Sequence, residues 1–240
     1  MIKNLLKSLS GDDSDKIYAD ARKNLDQLAH DIRNPLARLR GWAEIALSDE
    51  TDQDAWKSAI EAAFENSESI IKLLDLESEQ LRFRFRKINK DDIKVEEILK
   101  EIVSHQQVAI DDKTIDLNIQ IEPGLTVHAE KKSLVQSLNY IIDNAIKYNI
   151  DNGKVWVEAK PANQSGQVEF IIRDTGIGIP PSEIGTVFKR LFRGAEARKQ
   201  EGYGVGLTYA RDFALAHEGM IEIQSPAPNS VNGTEVRMVI

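Results

Sequence analysis

His30, Asp31, Asn34 and Pro35 form the first group of residues in this chain that could do chemistry. A neutral imidazole is a competent nucleophile at physiological pH, with an ordinary pKa near 6.5. A neighbouring carboxylate, Asp31, can take or orient the proton on the other ring nitrogen. Asn34, one helical turn on, could hold a water. A lone helical histidine is more often a packing or surface residue, but that reading leaves Pro35 unexplained. Proline in a helix interior costs about 3 kcal/mol, so something should offset it. A bend that displays His30 to a phosphate donor would be such a reason.

Three later groups have a different chemistry. Asn144, Lys147 and Tyr148 stand at i, i+3 and i+4, on one face of a helix. An amide oxygen suits Mg²⁺, and a lysine and a phenol suit phosphate oxygens. Asp174-Thr175-Gly176-Ile177-Gly178-Ile179-Pro180 directly follows a strand pattern. Its carboxylate could accept an adenine amino hydrogen, and Gly176 and Gly178 would let the backbone approach the base. Gly202-Tyr203-Gly204-Val205-Gly206-Leu207 opens a helix, where free N–H groups and the positive helix end suit phosphates. Each is weak alone: the first is an ordinary helix, the second an ordinary turn. The third is not the dinucleotide fingerprint, since Leu207 stands where its last glycine is needed. The Walker A pattern does not occur in the sequence.

The elements that must position these groups are legible from periodicity. From Ile17 to about Leu47 apolar residues recur at intervals of three and four. Leu25, Leu28, Ile32, Leu36 and Leu39 fall within a stripe about 80° wide, with His30 about 140° and Asn34 about 180° from Leu25. His30 and Asn34 are therefore expected to point outward together. Ser48 to Asp54 reads as a polar turn, and a second helix runs from Trp56 to Phe85. Two such helices expose more apolar surface than a hairpin can bury, so a homodimeric four-helix bundle is expected. After the texture changes near Lys87 to Asp92, a helix (Val95 to Gln106) leads into strands at Ile115 to Ile121 and Leu125 to Ala129. Then come a helix at Leu134 to Tyr148 and strands at Val155 to Ala159 and Val168 to Arg173. A Gly-rich loop region with Pro180 and Pro181 precedes a helix at Val205 to His217, and strands at Met220 to Gln224 and Glu235 to Val239 close the chain. An all-helical start followed by mixed elements means two domains, the second α/β.

At this point His-Asp-Ile-Arg-Asn-Pro-Leu resembles the H-box of sensor histidine kinases, and the later groups resemble, in family order, the N, G1 and G2 boxes of a Bergerat-type ATP-binding fold. Val187 to Arg193 is similar to the F-box, Gly194 to Glu201 to the lid over the nucleotide, and Gly233-Thr234 to the last glycine box. The resemblance covers residues 16–240 and implies a helical-hairpin dimer followed by an α/β sandwich. It implies that ATP and Mg²⁺ are used, that His30 is the phosphoacceptor and Asp31 its acid/base, and that Asn34 supports phosphatase activity toward a response regulator. Asn144 would hold the metal. Lys147, Tyr148, Asp174, Gly176, Gly178, Arg193, Gly202, Gly204, Gly206 and Leu207 would contact the nucleotide. Three positions depart from the pattern: Tyr140 replaces the usual second Asn, with Asn139 one step off, Tyr203 replaces a Ser or Thr, and Leu191 replaces a Phe.

Composition bounds the alternatives. Net charge is −8 and the pI about 5.2, which argues against a nucleic-acid partner. Without cysteine there is no disulfide or thiolate metal site, and a reducing cytosol fits. No run of residues is apolar for long enough to span a bilayer, so the chain reads as soluble and cytoplasmic, either by itself or as part of a receptor. The expected division is a linker or coiled-coil stub at 1–15, a phosphoacceptor and dimerisation domain at 16–88, and an ATP-binding domain at 89–240. Two other readings stay open: a docking or phosphatase module that binds nucleotide without kinase activity, and a chaperone-type ATPase, which the H-box hairpin opposes.

Overall fold

A computed structural model describes residues 11–47, 52–85, 88–162, 166–197, 200, 202–228 and 230–240. They divide into two compact units, Met1–Glu77 and Ser78–Ile240. The first holds α1 (Gly11–Ala46) and most of α2 (Gln53–Phe85), whose residues from Ser78 on fall in the second. The turn expected between them falls partly on residues 48–51, outside the described residues, and the stub expected at the N-terminus lies largely there too. Asp52 starts α2 by accepting the Ala55 N–H at 2.8 Å, the N-cap role its short carboxylate suits. The two helices are tied by Arg38, whose Nε donates to Asn66 Oδ1 at 3.0 Å. Ala59, Leu73 and Pro35 are buried, whereas Leu36 (48%), Trp56 (51%) and Phe64 (66%) keep about half or more of their surface exposed. The hairpin thus carries more apolar surface than it covers, as its spacing leads one to expect.

The second unit is a two-layer sandwich. Strand β1 (Asp91–Lys94) leads into α3 (Val95–Asp112), then β2 (Asp116–Ile121), β3 (Thr126–Ala129) and α4 (Lys131–Lys147). The chain continues through β4 (Lys154–Pro161), β5 (Val168–Asp174), a one-turn helix α5 (Pro181–Ile184), α6 (Gly206–Ala216), β6 (Met220–Gln224) and β7 (Glu235–Val239). The main sheet has the order β2-β4-β5-β7-β6, with β2 and β4 parallel and every other neighbour antiparallel. β1 and β3 form a separate antiparallel ribbon.

Alternation along the strands sorts the two faces. Val155, Val157 and Ala159 of β4, Phe170 and Ile172 of β5 and Val236 and Met238 of β7 join one core with the helices. α3 contributes Ile98, Leu99 and Ile102, α4 contributes Leu134, Leu138, Ile141 and Ile142, and α6 contributes Ala210, Phe213 and Ala214, all at helical spacing. The other face bears charge. Arg173 pairs with the buried Glu235, and Arg237 reaches Glu169 at 3.0 Å and Glu235 at 3.4 Å. Three differences from the sequence reading have local causes. β1 was not expected, because four residues are too few to display an alternation. α3 runs six residues past Gln106 to Asp112 because that glutamine is buried with a polar partner inside the apolar stripe. α5 occupies the start of the expected loop, where Pro181 at the first helical positions has φ suited to a turn of helix.

His217, just beyond α6, links the helix layer to the start of α4. Its ring is buried, with Nδ1 3.0 Å from the Phe213 carbonyl and Nε2 accepting the Glu130 N–H at 3.2 Å. One neutral tautomer satisfies both bonds, and protonation would turn the acceptor into a donor facing a donor. Burial holds its pKa below the ordinary value, Phe213 and Glu130 pull it up, and Lys90 and His128 push it down. A folded pKa below the unfolded one means stability is fully present above about 6.5 and is lost as pH falls from there through the lower folded value. His217→Gln should therefore be less stable than the original chain at about pH 7.5, and urea titrations should show the gap closing towards pH 5. A gap independent of pH would show that the ring is not held neutral.

Candidate functional site

The site is built outward from the C-terminal end of α4. Asn144, Lys147 and Tyr148 share a face there and are half-buried. The helix end needs acceptors satisfied, since its last carbonyls have no intrahelical donors. Lys113 Nζ donates to the Lys147 carbonyl at 2.5 Å and to that of Asn149 at 3.0 Å, placing a cation at the negative end of the helix. The Ile177 N–H donates to the Tyr148 carbonyl at 3.1 Å. Buried Asn149 completes the junction: its Nδ2 donates to the Lys154 carbonyl, and its Oδ1 accepts from the Ile150 N–H and from Thr175 Oγ1. The turn after β5 is thereby pinned to α4. Gly176 lies so close to it that a Cβ would sit 2.3 Å from the Tyr148 carbonyl oxygen, leaving room for no other residue.

Asp174 closes β5 at the centre of this arrangement. It is buried, and its Oδ1 accepts the Gly176 N–H at 2.8 Å and the Thr234 N–H at 3.1 Å. Burial pushes its pKa up to about 6, against the pull of those two donors. Gly233 packs on the same spot, where a Cβ would lie 2.1 Å from the Asp174 carbonyl oxygen. Ser225 bridges the two turns. Its Oγ accepts the Ile179 N–H at 2.8 Å and donates to the Gly233 carbonyl at 2.8 Å. Gly178, at φ +71°, fits beside that hydroxyl.

The turn 202–206 forms the opposite wall, against α4. A Cβ on Gly202 would meet Lys147 Nζ at 2.9 Å, and one on Gly206 would meet the Tyr140 side chain at 3.1 Å. Gly204, at φ +69°, lies against the backbone of residues 191–192, where a Cβ would come within 2.5 Å of the Phe192 carbonyl. Thr208 Oγ1 donates to the Phe188 carbonyl at 3.0 Å and ties the start of α6 to the same segment. Leu207 is half-buried in the first turn of α6. Arg193 does not point away from the protein. It donates to the carbonyl of Ala197 at 2.6 Å and to that of Gln200, and its charge and a hydrogen bond reach the Tyr148 phenol. Burial raises the Tyr148 pKa and Arg193 opposes the rise. Lys147 Nζ lies 5.6 Å from the Tyr148 ring centroid, and it also moderates the rise that burial imposes on Asp143.

Asn139 does not stand in for the missing asparagine. Its Oδ1 accepts from Gln106 Nε2 at 3.0 Å, on the side of α4 that faces α3. Tyr140 instead faces Gly206 and Tyr209.

In the other unit, His30, Asp31 and Asn34 lie in α1, upstream of Pro35, which supplies no N–H for the Asp31 carbonyl. Asn34 is exposed and Asp31 half-buried, while the outward direction expected of the His30 side chain lies outside the described residues. Nothing in the sequence marks Lys113 or Ser225 as part of this site. Both act through backbone carbonyls or amides distant in sequence, and no residue pattern marks such a bond. Asn149 directly follows Tyr148, and its place after a helix end was the one available signal.

Residues 129–240 match the family described as histidine kinase-, DNA gyrase B-, and HSP90-like ATPase, and residues 21–80 match the His Kinase A (phospho-acceptor) domain. The sensor histidine kinase YclK of Bacillus subtilis is 27% identical over 221 residues, covering 90% of this chain and 46% of that protein. The adaptive-response sensory kinase SasA of Synechococcus elongatus is 30% identical, covering 87% and 58%. The chain spans about half the length of the curated relatives it matches. Histidine kinase ThkA, in a crystal structure with response regulator protein TrrA, shares the fold with a TM-score of 0.67 at 20% identity, covering 94% of this chain and 63% of that one.

Replacing Lys113 by Met should leave the carbonyls of Lys147, at the end of α4, and of Asn149, just beyond it, without this donor and lower the unfolding free energy by about 1–3 kcal/mol in urea. Hydrogen exchange should quicken at Ile177 and along the last turn of α4. Unchanged stability and exchange would mean that water replaces the ammonium at no cost.

Proposed function

The chain belongs to the sensor histidine kinases of two-component signalling, and on that footing we propose that it moves the γ-phosphoryl group of ATP onto His30 and then onto an aspartate of a response regulator. The observation that carries this reading is the order of the two units. A helical hairpin bearing His30 precedes a fold whose buried carboxylate, glycine turns and cationic helix face converge on one site.

In that site Asp174 accepts the adenine amino hydrogen, and the turns at Gly176 and Gly178 lie along the base. Lys147, Tyr148, Arg193 and the N–H groups around Gly202, Gly204, Gly206 and Leu207 hold the phosphates. The Asn144 amide is half-buried and makes no hydrogen bond among the described residues, which fits a ligand to Mg²⁺. No group of three His, Cys, Asp or Glu that could hold a metal alone occurs among them, so the ion would be shared with phosphate oxygens. When bound, it offsets phosphate charge.

His30 attacks the γ-phosphorus as the bond to the ADP oxygen breaks, and Asp31 takes or orients the proton of the other ring nitrogen. An aspartate of the regulator then attacks the phosphoimidazole, returning His30 to its starting form. Asn34 orients a water when the regulator is dephosphorylated. Positioning supplies most of the catalysis in such transfers. The apolar residues left exposed on the hairpin, Trp56, Ile60 and Phe64 among them, support pairing with a second copy. The proposed division is a linker or coiled-coil stub at 1–15, a phosphoacceptor and dimerisation domain at 16–88 and an ATP-binding domain at 89–240. No helix among the described residues is long and apolar enough to cross a membrane. The proposed reaction draws on ATP and so belongs on the cytoplasmic side of any membrane.

Incubation with γ-labelled ATP and Mg²⁺ should give acid-labile, base-stable label on the original chain and none on His30→Gln. Equal labelling of both sinks the assignment of His30. ATP binding without any label leaves a docking or phosphatase role in its place.

A further inference from the structure

Tyr140 stands where the resembling family has an asparagine, and its surroundings assign it a different task. A Cβ built on Gly206, the first residue of α6, would lie 3.1 Å from Cβ, Cγ and Cδ1 of Tyr140. The side chain therefore rests on the bare Cα of that glycine. The ring also meets Tyr209 edge to face, with centroids 5.6 Å apart and planes at 65°. Tyr209 is itself buried.

These contacts fix one end of the gap between α4 and the turn 202–206. The other end is set by Lys147, whose Nζ lies beside Gly202. Asn144 lies on the same face of α4 between them, four residues after Tyr140. The first helical bond of α6 runs from the Tyr209 N–H to the Val205 carbonyl at 2.9 Å. The N–H groups of residues 206–208 thus have no acceptor within the helix. The distance from those donors to Asn144 depends on what fills the space at Gly206, and a phenol ring fills it.

We propose that Tyr140 is a positioning residue for the phosphates of ATP. Its ring acts as a wedge that holds the first turn of α6 at working distance from Asn144, through shape and not as a metal ligand. The inference rests on the reading of this site as one for ATP. A wedge is needed only by the part of the ligand lying between α4 and α6, whereas the base is assigned to Asp174, Gly176 and Gly178, at the end of β5 and in the turn after it.

Equilibrium titrations with ATP and with adenosine, each with Mg²⁺ and with chelator, separate these parts. Tyr140→Ala should weaken ATP binding by about tenfold or more while adenosine binds as before, which also shows that the variant is folded. Tyr140→Phe, which keeps the ring, should rescue ATP binding to within about twofold. Tyr140→Asn, which offers an amide oxygen but no ring, should behave like Tyr140→Ala. An Asn variant that binds ATP with Mg²⁺ as tightly as the original chain overturns the wedge, as does a parallel loss of ATP and adenosine. Variants that all bind ATP normally overturn this inference alone. An original chain that binds no ATP overturns the kinase reading and the inference with it.

Discussion

A buried carboxylate held by two turns organises the second unit. Asp174 Oδ1 takes the N–H of Gly176 on one side and of Thr234 on the other. These donors come from the segment after β5 and the segment before β7, so a single oxygen joins two loops that adjacent strands bring together. The arrangement costs stability. The unfolded carboxyl ionises near 3.8, the folded one near about 6, because burial penalises its charge. Between those values the folded chain keeps a proton that the unfolded chain has released, so stability falls as pH rises through that window. Above it the ionised group costs about 3 kcal/mol. A fold selected only for stability would place an apolar or neutral residue there. Such a cost fits the role proposed for Asp174 as acceptor of the adenine amino hydrogen.

The rest of the site follows from where Asp174 holds the turn. Gly176 is brought against the Tyr148 carbonyl, and Ile177 donates to that same oxygen, so the turn and the end of α4 move as one piece. Lys113, Asn149 and Thr175 close the remaining bonds of that junction. Once the end of α4 is fixed, Lys147 and Tyr148 face the turn 202–206, and Tyr140 faces the first residue of α6. Three glycines with no room for a side chain, Gly176, Gly204 and Gly233, are the points where backbones meet. A substitution at any of them acts on the geometry of the ligand site before it acts on the core.

Much of this was legible in the sequence, and the exceptions share a cause. Helix periodicity and strand alternation locate α1, α2, α4, α6 and five main-sheet strands, with β6 and β7 matching residue for residue. These patterns report burial of one face, and every such element has one. Where no face is displayed, the pattern is silent. β1 has four residues and one buried side chain. Gln106 hides the continuation of α3, because a buried amide partnered by Asn139 looks polar in sequence. The glycine turns were legible as turns, but their partners were not: Ser225 reaches Ile179 across a span that no local signal bridges. The bonds of Arg193 to the carbonyls of Ala197 and Gln200 and to the Tyr148 phenol likewise have no signal in the sequence.

We propose that the Asp174 charge is maintained at the expense of the fold in order to hold a nucleotide base. Calorimetric titration of ATP into Asp174→Asn and the original chain, with thermal unfolding of both at about pH 7.5, tests it in one comparison. The variant should unfold at a higher temperature and bind ATP roughly a hundredfold more weakly. An Asp174→Asn chain that binds ATP as tightly as the original would contradict the assignment.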